Sequence, residues 1–146
     1  MKNYSIAACA LLLCVVVGCG KGYVQMGGTV TFSDDNAPLT VGTVIFEQGA
    51  HHARGPIDEQ GRYVLGFDKP GSGLPKGTWT VHVVDAMVQD GTVSSTSSSS
   101  SSGTYERPTY KNLIDPKFNS AATSGLTFTV DGTEKKFDFS VERAKN

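Results

Sequence analysis

Beyond residue 22 the apolar residues of this chain recur at every second position, and no stretch sustains the three-and-four spacing of an amphipathic helix. Val24, Met26, Gly28, Val30 and Phe32 share one face, with Gln25, Gly27, Thr29 and Thr31 on the other. This alternation, enriched in β-branched and aromatic residues, predicts a strand. Residues 41–47 repeat it, with Val44 and Phe46 opposite Thr43 and Ile45. The strongest pattern is at 78–84, where Trp79, Val81 and Val83 form one side. Trp79 is therefore expected in the core rather than on a binding platform. Leu126, Phe128 and Val130 alternate with Thr127 and Thr129, and Phe137, Phe139 and Val141 with Lys136, Asp138 and Ser140. Weaker strands are expected at 54–57 and 62–66.

Turn chemistry separates these runs. Asp34-Asp35-Asn36-Ala37-Pro38 is a turn cluster, and Asp58-Glu59-Gln60-Gly61 joins the two weaker strands into an expected hairpin. Asp131-Gly132-Thr133-Glu134 predicts a second hairpin, between the last two strands. The phrase at 28–32 is echoed at 42–46, which predicts that these strands also pair as a hairpin. Residues 68–77 carry too much Pro and Gly for a regular element. Residues 94–102 are eight serines and one threonine, a composition expected to form a flexible insertion. Residues 105–124 read as an irregular crossing segment with a helical turn near Pro116. The expected fold is all-β: an antiparallel two-sheet sandwich of about seven strands, transthyretin-like or immunoglobulin-like.

The N-terminus is different in kind. Lys2 precedes an apolar run from Ile6 to Val17, and Val16-Val17-Gly18-Cys19 follows at its end. The run is too short to span a bilayer, which takes roughly 20 residues, and its plan is that of a secretory signal. The last four residues resemble the lipobox of bacterial lipoproteins. That resemblance implies cleavage between Gly18 and Cys19, acylation of the Cys19 thiol with palmitate-type chains, and anchoring to a membrane. The expected organisation is a signal at 1–18, a lipidated cysteine and tether at 19–22, and one domain at 23–146. Cys9, Cys14 and Cys19 are the chain's three cysteines, so the mature domain is expected to contain no disulfide. Gly20, rather than an aspartate, follows Cys19. By the same resemblance this favours the outer membrane over the inner one.

Charge narrows the partners. The formal net charge is −1, and loss of Lys2 with the signal makes the domain slightly more acidic. No basic stripe suits nucleic acid, and no polybasic cluster flanks the anchor. Attachment would rest on the acyl chains on Cys19, with an envelope protein or polysaccharide as a further partner.

Gly28-Thr29-Val30-Thr31-Phe32, Pro38-Leu39 before Gly42-Thr43-Val44, Asp58-Glu59-Gln60-Gly61-Arg62-Tyr63 and Leu74-Pro75-Lys76-Gly77-Thr78-Trp79 occur in this order. Together they resemble the carboxypeptidase regulatory-like domain, a transthyretin-like sandwich. With the lipobox and the closing phrases at 124–130 and 137–139, the chain is similar to a small bacterial lipoprotein family built on such a domain. The resemblance implies a non-enzymatic structural or binding module, without cofactor, at the cell envelope. The serine tract departs from the pattern.

Candidate chemistry is sparse. His51 and His52, near Glu47 and Arg54, are adjacent on extended chain and point to opposite faces, so they are read as a solvated loop rather than metal ligands. His82 is expected to point outward from its strand without a partner. Asp34, Asp35 and Asn36 suit a turn better than a calcium site, and the same holds for Asp58 and Glu59. Tyr105, Tyr110 and Phe118 would suit a carbohydrate or peptide surface, or would cover the end of the core. A transthyretin-like hydrolase of 5-hydroxyisourate would end in Tyr-Arg-Gly-Ser, whereas this chain ends in Val141-Glu142-Arg143-Ala144-Lys145-Asn146. A pocket gathering His51 or His82 with Arg54 would favour such an enzyme. Cys19 is the one assigned modification site.

Overall fold

A computed structural model describes residues 22–96 and 104–145. The expected signal, the Gly18-Cys19 cleavage point and residues 97–102 of the serine tract lie outside them. Seven strands form an all-β sandwich: β1 (Gly27–Phe32), β2 (Thr43–Gln48), β3 (His51–Pro56), β4 (Arg62–Val64), β5 (Gly77–Val84), β8 (Leu126–Val130) and β9 (Phe139–Val141). One sheet has the order β4-β1-β9 and the other β3-β2-β5-β8. All pairings are antiparallel except β1 with β9, which is parallel. A further pair, β6 (Met87–Thr96) and β7 (Thr104–Asn112), forms its own two-stranded sheet.

The alternation dictates which side chains meet between the sheets. Val30, Phe32, Tyr63, Phe139 and Val141 face inward from one sheet, and Val44, Phe46, Ala53, Trp79, Val81, Val83 and Val130 from the other; all are buried. Each large apolar side chain fully buried this way contributes about 1.5–3 kcal/mol. Trp79 is fully enclosed, and its indole N–H donates to the Pro75 carbonyl at 3.2 Å, so its one polar atom is satisfied. Tyr63 is satisfied in the same way over a separation of 74 residues, its hydroxyl donating to the Phe137 carbonyl at 2.5 Å. Its burial pushes the phenol's pKa up, so it remains a donor.

Two glycines are needed for this closure. Gly61 takes φ +77° in the turn before β4, where a β-carbon would press on the Val30 carbonyl and Pro38. Gly28 lies so close to the Phe137 carbonyl that no side chain fits there.

Three expected hairpins are corrected by the register. β8 and β9 do not pair: β8 lies beside β5, and residues 131–138 carry the chain across to the other sheet, where Lys136 already bridges Gly27. Asp131 makes a local turn, accepting from the Thr133 N–H at 2.7 Å, but the turn opens into a crossing of about 10 Å between layers. Likewise β1 and β2 lie in different sheets. After the turn at 33–36 the chain returns along β1 only as far as Leu39, whose N–H donates to Val30 at 3.0 Å. β3 and β4 are joined by the 58–61 turn as expected, yet they form no ladder with each other: a single bridge joins Arg54 to Gly66, beyond the end of β4, and the strands pair with β2 and β1 respectively.

The region read as irregular holds the larger correction. Residues 104–112 are strand β7, paired with β6 over nine positions around a bulge between Gln89 and Gly91. Ser94, Ser95 and Thr96 belong to β6, so part of the serine tract is strand rather than loop. Neither strand packs substantially on the sandwich, and the described side chains of this arm are exposed except for Thr109, which is half-buried. Polar residues on both faces hid it from the alternation. The helical turn near Pro116 is present as a 3-10 turn at Pro116–Asn119, capped by Asp115, followed by the one-turn helix α1 (Ala121–Ser124).

Tyr63→Phe should lower stability by about 1 kcal/mol, the net worth of one hydrogen bond, and the melting midpoint by roughly 4 °C. Replacing residues 88–111 with a short Gly-Ser turn should shift the midpoint by no more than about 2 °C, because the arm buries almost nothing against the sandwich. Both are read by thermal unfolding followed by circular dichroism.

Candidate functional site

The outer face of the four-stranded sheet gathers most of the polar candidates. His51 and His52 lie in strand β3, not in a loop, and both are exposed. His52 stands opposite Glu47 of β2, and Arg54 opposite Ile45, whose other neighbour is His82 of β5. Arg54 and His82 are thus two strands apart, about 10 Å, with Ile45 between them. His51 turns away to pack its ring on Phe67, with centroids 5.6 Å apart. The gathering of His51 or His82 with Arg54 is not formed.

His82 departs from expectation in another way. It points away from the Trp79, Val81 and Val83 face, but it is buried rather than solvated, and its Nδ1 has no hydrogen-bond partner. β8 pairs with β5 only as far as Val81, and His82 sits just beyond that limit. The 3-10 turn and α1, which lead into β8, pack against β5. Burial pushes the imidazole's pKa down, Glu47 opposes this and His52 adds to it.

Two adjoining surface grooves share Pro56 and Pro70. The larger, of about 450 Å³, is lined by Asp58, Arg62, Tyr63 and Val64 as well. Its charged groups are committed to each other. Arg62 Nε donates to Asp58 at 2.9 Å, while the other Asp58 oxygen accepts the Gln60 and Arg62 N–H groups at 2.9 and 2.8 Å. The Arg62 N–H, followed by the Arg62 side chain, holds the Asp58 carboxyl below the usual range. The smaller groove, of about 170 Å³, takes His52, Arg54, Asp68 and Lys69 on its walls. Among the described residues no three His, Cys, Asp or Glu side chains are grouped to hold a metal ion.

The Asp34-Asp35 turn has a partner that its sequence did not reveal. Arg143 Nε donates to Asp34 at 2.8 Å and its terminal nitrogen to Asp35 at 2.7 Å, with the guanidinium 3.7 Å over the Phe32 ring. Asp35 also accepts the Ala37 N–H at 2.9 Å. One arginine, stacked on the core's edge, thus bridges both carboxylates and offsets one of their two negative charges. Only the long-range register, which places Arg143 beside Ile114, makes this visible.

The three aromatic candidates do not converge. Phe118 is buried in the core and is no surface contact, whereas Tyr110 is 61% exposed on the arm. Tyr105 lies in β7, paired with Ser95, and its side chain is outside the described residues, as is Cys19.

Because burial disfavours the charged imidazole of His82 in the fold but not in the unfolded chain, stability should fall as pH drops below about 6.5. The carboxylates with lowered values act only near and below about pH 4. His82→Leu should flatten the dependence of the unfolding midpoint between about pH 7 and pH 5. An unchanged slope would exclude His82 as the titrating group.

No family model matches this chain, and neither does any curated protein. Among solved structures it is similar to a 9R-lipoxygenase from Cyanothece PCC8801, at 16% identity and a TM-score of 0.35 over 81% of this chain. The chain spans 16% of that protein's length, and a likeness this slight carries neither fold nor activity.

Proposed function

We propose that this protein is exported, cleaved before Cys19 and held at the bacterial cell envelope by acyl chains on that cysteine, with the sandwich as a non-enzymatic structural or binding module. The observation that carries the reading is the apolar run from Ile6 to Val17 closing on Val16-Val17-Gly18-Cys19. The rest of the chain is compatible with it. The sandwich's first buried residue, Val24, follows within five positions of Cys19, and the cysteines all precede it. Among the described residues no helix is long and apolar enough to cross a membrane. The order of phrases from Gly28 to Trp79 supports a carboxypeptidase regulatory-like module, and Gly20 supports the outer membrane.

A module reading also suits the surface. The charged groups of the larger groove are engaged in shaping a turn, and among the described residues the most exposed large apolar side chains are Tyr110 and Val93 on the arm and Val64 in that groove. A polysaccharide or a protein of the envelope is the class of partner for such a surface.

Growth with a fatty-acid analogue, followed by membrane fractionation, tests the anchor. The parent protein should take the label and sediment with membranes, and Cys19→Ala should lose both properties. An unlabelled parent found in the soluble fraction would refute the proposal.

A further inference from the structure

The sandwich has two chemically distinct ends. One is formed by Tyr23 and Val24, the 49–50 turn, the 66–76 loop and the 131–136 crossing. Val24 and Leu74 exchange backbone hydrogen bonds of 2.8 and 2.9 Å there, Tyr23 packs on Phe67, and Gly132 lies beside Lys76. The other end holds the 33–36 turn, residues 85–86, Leu113, Ile114 and Arg143, and the arm is rooted in it. The strand β5 runs from the first end at Gly77 to the second at Val84, a length of about 23 Å.

We infer that the Tyr23 end of the sandwich rests against the lipid headgroups, and that the Asp34-Arg143 end, with the arm's root, is held away from the bilayer. The inference rests on the lipid-anchor reading of Cys19. Tyr23 lies four positions beyond Cys19, and an extended chain covers at most about 3.5 Å for each step. The tether therefore reaches no more than about 14 Å, less than the length of the sandwich. A body tied this closely at one end cannot present its opposite end to the surface that holds it.

Side-chain chemistry favours an upright posture over one lying on a sheet face. Tyr23 is 38% exposed and forms a ring cluster with Phe67 and His51, a combination suited to the boundary between headgroups and water. The loops at 66–76 and 131–136 carry four lysines (Lys69, Lys76, Lys135 and Lys136) against three acids. At the other end Asp34, Asp35, Asp85 and Glu142 outnumber their partners Arg143 and Lys117, leaving a net negative charge that anionic lipid repels.

The test uses the full, acylated protein purified from membranes and reconstituted in vesicles of phosphatidylcholine and phosphatidylglycerol. A fluorophore is placed at Lys76→Cys or at Ser33→Cys, and quenching by a headgroup-spin-labelled lipid is compared. Quenching at position 76 should be several-fold stronger than at position 33. Equal quenching, or stronger quenching at 33, in protein shown by mass spectrometry to be acylated would overturn the orientation and leave the anchor standing. Protein that carries no acyl chain would overturn the anchor and this inference with it.

Discussion

The sandwich depends on a run of aromatic rings that crosses between its two sheets. Phe46 and Phe128 reach in from the four-stranded sheet, and Phe137 meets them at 6.1 and 4.6 Å between centroids. Phe137 stacks on Phe139 at 5.3 Å, and Phe139 meets the Tyr63 ring at 6.2 Å. Rings in such tilted and edge-on contacts add about 0.5–1.5 kcal/mol per pair beyond the area they bury. The described sandwich contains no cysteine, so packing of this kind takes the place of a covalent link between layers. It also explains why the last strand is parallel to the first. Residues 131–138 must bring Phe137 between the sheets before β9 can pair with β1, and the Tyr63 hydroxyl then fixes the Phe137 carbonyl.

How far the sequence anticipates this can be judged element by element. Strands whose apolar residues face one core were legible, because a period of two follows directly from one-sided burial: β1, β2, β5 and β8 all fall where alternation put them. Partners were not legible. A turn such as 131–134 has the composition of a hairpin whether the chain reverses within a sheet or passes to the next one, and only the packing of Phe137 decides. The β6–β7 arm escaped notice because neither face is buried, so no period forms. Its sequence has the polarity of a loop.

The candidate residues divide along the same line. Trp79 was assigned to the core from its own strand, since its neighbours Val81 and Val83 share its face. His82 required knowledge of what covers the opposite face, which comes from a segment more than thirty residues later in the chain. Arg143 and the Asp34-Asp35 turn are joined over a sequence separation of 109 residues and 108 residues. No local rule connects residues so distant.

The arm leaves both long edges of a two-stranded ribbon without neighbours, which is the geometry that lets separate molecules zip together into fibres. Its own sequence works against that. Pro108 in β7 offers no amide hydrogen, and the bulge between Gln89 and Gly91 twists β6 out of a straight line. Glu106, Arg107 and Lys111 set charges along β7. Copies brought together at high local density would thus meet edges that are bent, charged and missing a donor, and would stay separate ribbons.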